Sequence, residues 1–337
     1  MTLTEFARAA ACIRDADALV ICTGAGMGVD SGLGTFRGRM AGIWPPLKAL
    51  GKDFSELSTP AWFESDPRLA WAFWHFRHQG YTKSDPHAGY DLLTKWGVKL
   101  PFGVFSVTSN IDGHWERTPG IGPELIYECH GALTHMQYVR EQVVPDEEAI
   151  WRTDDEAIAS LDVPQYDIAP GEIVEARLYN GSIAECIVEE DLTLKLKSSG
   201  KPVRALAVMR PGGEDLMRVR EGSPLPTKDG LPTRPNVLMF GDYGVKCDRI
   251  DEQSERFQAW LQKVPKDGKL VIIEVGAGTA VQTIRYIGEN TAKLYPNSTF
   301  IRVNLEDASV SGLPSSRTIS IEGLGALAAL TAIDAQM

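Results

Sequence analysis

The strongest constraint on this chain is a recurrence of short, predominantly apolar runs. They fall at Leu19 to Cys22, then at 104–108 (VFSVT), 237–240 (VLMF), 270–275 (LVIIEV) and 300–304 (FIRVN). A strand with one wet face alternates apolar and polar residues, so a continuous apolar run belongs to a strand covered on both faces. Between the runs lie segments with helical spacing, such as "EQSERFQAWLQKV" and "AVQTIRYIGENTAKLY". Strands alternating with helices predict an α/β fold built on a doubly wound parallel sheet.

Two segments interrupt the alternation. Residues 39–88 carry Trp44, Trp62, Trp71 and Trp74 and read as helical around "DPRLAWAFWHFRHQGY"; they form either an aromatic core or a lid over the site. Residues 138–232 open on a polar, acidic stretch. There Asn180-Gly181 separates two runs with strand character, the strongest short hairpin signal. A second candidate pair of strands flanks Ser199-Gly200. The expected organisation is therefore a sheet domain of residues 1–38, 89–137 and 233–337, a helical segment at 39–88, and a smaller β-rich insertion at 138–232.

A chain of 337 residues with 43% hydrophobic and 23% charged residues is ordinary for a soluble globular protein. A net charge of −11 speaks against nucleic acid as the main ligand. No apolar run is long enough to cross a bilayer, and no signal peptide opens the sequence, so no membrane partner and a cytoplasmic location are expected. The five cysteines, Cys12, Cys22, Cys129, Cys186 and Cys247, are odd in number and form no metal-binding pair, as expected of reduced thiols in the cytosol.

The first apolar run leads into Gly24-Ala25-Gly26 and a predicted helix start, an arrangement that suits a dinucleotide pyrophosphate. Val29 stands where the usual fingerprint has its third glycine, which weakens the signal. A second turn of the same kind, Gly276-Ala277-Gly278, follows the run 270–275.

The order of motifs is more specific. "GAGMGVDSGLGTFRG" resembles the first motif of the sirtuin family, and "TSNIDGHWERTPG" its TQNID motif. "ECHGAL" resembles the segment with the family's catalytic histidine, "RPNVLMFGD" its RP-x-V-x-FGE strand, and "VGAGTAV" its GTS-x-x-V turn. The resemblance implies a Rossmann-like sheet, NAD as cofactor, and an acylated protein or peptide as partner. It implies lysine deacylation that releases nicotinamide and O-acyl-ADP-ribose. His130 matches the general base, a task that suits an imidazole with a pKa near neutrality. Asn110 and Asp112 match the pair that positions the ribose and the nicotinamide amide. Gly24, Ala25, Gly26, Phe36, Arg37, Ser109, Gly276, Ala277, Gly278, Asn304 and Leu324 match cofactor contacts, and Phe240 and Gly241 match substrate contacts.

The departures are specific too. Gly28 replaces the family's serine, Gly34-Thr35 its Pro-Asp, Ser109 its glutamine, and Gly278 a hydroxyl residue. Most sirtuins carry two CxxC pairs before the RP-x-V strand. Here that interval holds only Cys186, so no four-thiolate zinc is expected and hairpins are expected to take over its structural work. Three alternatives stay open: ADP-ribosyl transfer, NAD hydrolysis, and an idle NAD-sensing module. A generic Rossmann oxidoreductase is more distant. Of the other histidines, His87 reads as a cap or core residue and His114 as structural. Cys129 reads as buried, because neighbours on a strand face opposite ways.

Overall fold

The computed structural model of the protein describes residues 3–34, 44–142 and 145–337. The chain divides into two compact units. One comprises Met1–Ala41, Tyr81–Thr134 and Cys247–Met337, the other Gly42–Gly80 and His135–Lys246. Along the described residues the strands are β1 (Ala18–Thr23), β2 (Val104–Thr108), β3 (Ile126–Glu128), β4 (Gly131–Tyr138) and β5 (Ile150–Arg152). They continue with β6 (Ile173–Leu178), β7 (Ile183–Val188), β8 (Leu194–Leu196), β9 (Pro202–Val203) and β10 (Ala205–Met209). The last are β11 (Thr227–Lys228), β12 (Leu231–Val237), β13 (Leu270–Val275), β14 (Thr299–Asn304) and β15 (Thr318–Glu322).

In the first unit six strands form one sheet, in the order β15-β14-β13-β1-β2-β3, with every pairing parallel. From β1 the chain moves outward to β2 and β3, then returns to the other side for β13, β14 and β15. The order therefore reverses between β1 and β13, where a doubly wound sheet opens its crevice.

The continuous apolar runs hide a period of two. Leu19 and Ile21 of β1 face one core with Ala9, Ile13, Leu93, Trp96 and Leu330. Ala18, Val20 and Cys22 face the other, with Phe257, Trp260, Ile284 and Phe300. Helices Leu3–Arg14, Ala88–Gly97 and Ala326–Asp334 supply the first face, and Asp248–Lys263 and Thr283–Leu294 the second. Each large side chain so buried contributes about 1.5–3 kcal/mol over its exposed state.

Two charges lie inside this sheet. Glu274 of β13 and Arg302 of β14 sit opposite each other in register and pair at 2.6 and 3.0 Å. Arg302 also reaches Glu289 at 2.8 Å, so the buried guanidinium is fully engaged.

Three expectations need correction. Residues 237–240 are not a strand of the parallel sheet. β12 ends at Val237 and belongs to an antiparallel sheet, β11-β12-β4-β5, in the second unit; Leu238 and Phe240 beyond it are exposed. The parallel sheet is instead completed by β3 and β15. These are edge strands, β3 only three residues long and β15 alternating in burial, so neither shows a continuous apolar run. The third correction concerns the helix after Gly24-Ala25-Gly26. It is a seven-residue 3-10 helix, Ala25–Ser31, closed by Gly32 at φ +85°. Gly26, Gly28, Val29 and Gly32 are poor helix formers, so the chain turns off before an α-helix can develop.

In the second unit the strands from the acidic insertion form a five-stranded sheet, β10-β6-β7-β8-β9. β9 and β10 are one run of chain broken at Arg204; β9 pairs with β8 and β10 with β6, so the sheet closes on itself. Its interior is apolar, with Val174, Ala176, Cys186, Val188, Leu194, Ala205 and Ala207 all buried. The hairpin turns where Asn180-Gly181 predicts, but through three residues: Gly181 takes φ +84°, Asn180 keeps a negative φ, and Leu178 N–H donates to Ser182 O at 2.8 Å. That is the three-residue hairpin with a left-handed glycine rather than the two-residue form. In the second candidate pair the partnership is confined to 194–196 with 202–203; 194–196 pairs on its other side with β7, and 205–209 pairs with β6.

The same unit holds the tryptophan-rich segment. Phe63, Trp71, Phe73 and Trp74 are buried, with Phe63 edge-on to Trp71 at 5.5 Å, which is the aromatic-core reading. Residues 81–88 cluster with the parallel sheet and 233–246 with the antiparallel strands, the latter because β12 pairs there.

Cys186 sits in the apolar interior, and the chain interval that would need four thiolates has no other. The residues present do not fit a four-thiolate zinc. Among the described residues no group of three or more His, Cys, Asp or Glu side chains is arranged to hold a metal. No described helix is long and apolar enough to cross a membrane.

Candidate active site

The two glycine turns leave the carboxyl ends of β1 and β13, on either side of the crevice, and they touch. Gly24 N–H donates to Val275 O at 3.0 Å and Gly26 N–H to Gly276 O at 2.9 Å. A β-carbon at Gly24 would stand 2.8 Å from Ala277 Cα, and one at Gly26 2.7 Å from Gly276 Cα. The immediate reason for these glycines is thus backbone meeting backbone, not only room for a pyrophosphate. Gly278 differs: a β-carbon there would meet nothing within 4 Å, so this turn opens outward.

Gly276 is doubly constrained. Its φ is +66°, and a β-carbon would lie 2.4 Å from Met27 N. Gly276→Ala should therefore destabilise the protein by at least about 2 kcal/mol in urea denaturation, from left-handed strain plus displacement of the first turn. Wild-type stability in this variant would contradict the interlock.

From β2 the chain delivers Ser109, Asn110 and Asp112. A buried hydroxyl chain fixes the start: Trp115 Nε1–H donates to Thr23 Oγ1 at 2.9 Å, and Thr23 O–H to Thr108 Oγ1 at 2.9 Å. Thr108 Oγ1 then accepts Asn110 N–H at 3.0 Å. The Asn110 amide donates to Gly24 O at 3.0 Å, tying this loop to the first glycine turn. Asp112 Oδ1 accepts His114 N–H at 2.9 Å, and its Oδ2 lies 3.7 Å from where a β-carbon of Gly28 would be. Beneath them Tyr90 is buried, with the Asn110 side chain beside its hydroxyl. Burial first, then the Asp112 charge, push its pKa well up.

His130 lies in the turn between β3 and β4, partly exposed, with Nε2 3.2 Å from Thr283 Oγ1. Burial lowers its pKa, opposed by the Ser109 backbone carbonyl, so the neutral, basic form persists to lower pH than in an ordinary histidine. Glu128, two residues before, is paired with Arg249. Cys129 is buried, its thiol pushed up to about 12 chiefly by burial, which leaves it protonated and inert. It lies in the turn just past β3 rather than on a strand.

Asn304 ends β14 and donates from its amide to Ala277 O at 2.9 Å, bracing the second turn. Leu324 is partly buried against the first core. Phe240 and Gly241 lie in the second unit, on a turn whose Asp242 makes a fully buried pair with Arg234 at 2.7 and 3.0 Å. Phe36 and Arg37 lie outside the described residues.

The structure thus gathers Gly24, Ala25, Gly26, Ser109, Asn110, Asp112, Gly276, Ala277, Gly278 and Asn304 at the carboxyl ends of the central strands, with His130 from the edge. His114 is structural, with Nδ1 3.3 Å from Tyr90 OH and Nε2 3.1 Å from Ser84 O. His87 caps the helix Ala88–Gly97 by accepting Gly89 N–H at Nδ1. Sequence reasoning missed Thr23, Thr108, Tyr90 and Thr283. Only the two threonines ending β1 and β2 left a trace, as paired hydroxyls at the ends of apolar runs.

The sequence model of the Sir2 family matches residues 24–260. An NAD-dependent protein deacylase of Aquifex aeolicus (strain VF5) is 33% identical over 121 residues, 36% of this chain and 46% of that protein. One of Candida albicans (strain SC5314) is 35% identical over 116 residues, 34% of this chain and 36% of that protein. The chain thus matches less than half the length of either relative. Among solved structures, a mutant Sir2 homologue in complex with ADP ribose superposes with TM-score 0.58 at 15% identity, covering 98% of this chain and 95% of that one. A Sir2 homologue–NAD complex gives TM-score 0.52 at 15% identity over 98% and 93% of the two chains. With the family match spanning most of its length and its fold shared with these structures, the chain belongs to the Sir2 family.

Proposed function

We propose that the protein is an NAD-dependent protein-lysine deacylase, releasing nicotinamide and O-acyl-ADP-ribose, that works in the cytosol on acylated protein or peptide and without structural zinc. The observation that carries this reading is the convergence of Asn110, Asp112 and the two glycine turns at the sheet's switch point, with His130 presented from the turn after β3. These residues fit NAD: the open backbone at Gly278 suits a phosphate, and the amides of Asn110 and Asn304 can orient ribose and amide groups. When bound, NAD supplies an activated ADP-ribosyl group with nicotinamide as leaving group. The negative Asp112 favours positive charge that develops near it, Asn110 orients, and His130 accepts a proton from a sugar hydroxyl at Nε2. The closed, apolar β-rich insertion takes the structural part that zinc has elsewhere in the family.

A second reading, ADP-ribosyl transfer or hydrolysis, draws on one observation. At Gly28 no polar side chain faces Asp112; instead Leu33 Cδ1 lies 3.1 Å from where a β-carbon would be. Incubation with NAD and a panel of acyl-lysine peptides, with products identified by mass spectrometry, separates these readings. Acyl-ADP-ribose supports the deacylase, free ADP-ribose alone a hydrolase, a heavier protein a transferase, and unchanged NAD a sensor.

The lowered pKa of His130 gives a further expectation. A base must be neutral, so turnover should fall on acidification only below the ordinary histidine value of about 6.5. A pH–rate profile with its acid limb at or above that value would contradict the assignment.

A further inference from the structure

We propose that Thr283 is a positioning residue for His130, its hydroxyl donating to Nε2 and so setting the tautomer and the aim of the imidazole. The proposal rests on the reading of His130 as the base. His130 sits in a two-residue turn, where neither helix nor sheet packing fixes a ring, and Thr283 Oγ1 stands 3.2 Å from Nε2. Thr283 is itself well placed to hold something. It is the first residue of the helix Thr283–Leu294, a β-branched side chain with few χ1 choices, and it is followed by the buried Ile284. Arg285 pins the same helix start to Ala277 O and Asp307 O, each at 3.0 Å.

The chemistry selects the direction of the bond. The Ser109 carbonyl beside the ring can only accept, so it favours an N–H on the imidazole. A neutral ring has one N–H and one lone pair, and a threonine hydroxyl can donate to that lone pair. Nδ1 then carries the proton, and the lone pair at Nε2 is already aimed at an O–H donor when a substrate hydroxyl arrives. Of the site's acidic groups, Glu128 is paired with Arg249 and Asp112 accepts the His114 N–H. β2 and β1 lie between β3 and β13 in the sheet order, so this bond joins the turn after β3 to the connection that carries Gly276–Gly278. The base and the second glycine turn are thus held by one short piece of chain.

Imidazole ¹⁵N shifts of the protein test this without any turnover. The wild type should show the Nδ1–H tautomer, Thr283→Ser should keep it, and Thr283→Val should give a tautomer mixture. A hydroxyl donating to the neutral ring favours that form, so Thr283→Val should also raise the titration midpoint of His130 by roughly half a unit to one unit. In kinetics, kcat should drop roughly threefold to tenfold with KM for NAD unchanged, and Thr283→Ser should restore it. An Nε2–H tautomer in the wild type, or ring shifts unchanged in Thr283→Val, would overturn the proposal. Should Thr283→Val not fold, the wild-type tautomer alone decides. If the wild type turns over no NAD, the deacylase reading fails while the shifts still settle the role of Thr283.

Discussion

Replacing His130 with alanine should slow turnover roughly a hundredfold to ten-thousandfold, the usual cost of losing a general base, with NAD affinity and melting temperature nearly unchanged. The separation follows from where the side chain acts. A base contributes when the proton moves, whereas on the proposed reading the glycine turns and Asn110 would hold the ground state as well. In the structure the His130 ring meets the Thr283 hydroxyl and the Ser109 carbonyl and lies partly exposed in a turn, so its removal opens no large cavity. Single-turnover kinetics with a calorimetric NAD titration on the same variant check both halves. Undiminished turnover would remove His130 from the mechanism, and a collapsed melting temperature would make it structural.

The second large effect is expected at Asp242. It and Arg234 are fully buried, and the pair closes the turn that carries Phe240 and Gly241, with Asp242 Oδ1 also accepting Gly244 N–H at 3.0 Å. Asp242→Ala leaves the guanidinium buried without its counter-charge, a change that costs about 3–5 kcal/mol. Chemical denaturation should show that loss. Replacing both members with apolar residues of similar volume should recover much of it, because the cost lies in the orphaned charge rather than in the absent bond. A single substitution costing under about 1 kcal/mol, as a solvent-screened surface pair would, contradicts the burial.

Much of this was legible in the residues, and the failures have physical causes. β1, β2, β13 and β14 announce themselves because central strands of a parallel sheet are covered on both faces. β3 and β15 do not, because edge strands are short or half-wet. The run at 237–240 misled because apolar character was taken as burial in the sheet. It is the end of an antiparallel strand followed by a turn, in which Val237 and Met239 are buried, Leu238 and Phe240 are exposed, and the charged pair Arg234–Asp242 is buried beside them. Glu274 and Arg302 fall in two runs far apart in sequence, and only the register shows them as neighbours. At the site, motif order pointed to Asn110, Asp112, His130, Asn304 and the two glycine turns, which the fold brings to one end of the parallel sheet. It could not reveal those that hold them: the Trp115–Thr23–Thr108 chain, Tyr90 and Thr283 act through contacts between segments far apart in sequence. Nor could it say that Gly24 and Gly26 are glycines because two turns interlock.

The most direct measurement is the stoichiometry of nicotinamide and deacylated peptide, followed with NAD, an acyl-lysine peptide and the wild-type protein. If Asn110, Asp112 and His130 serve deacylation, nicotinamide release should require the acyl group, and one deacylated lysine and one O-acyl-ADP-ribose should appear per nicotinamide. Nicotinamide released at the same rate with unmodified peptide, or in excess over deacylated lysine, would contradict that claim and make water or another side chain the acceptor.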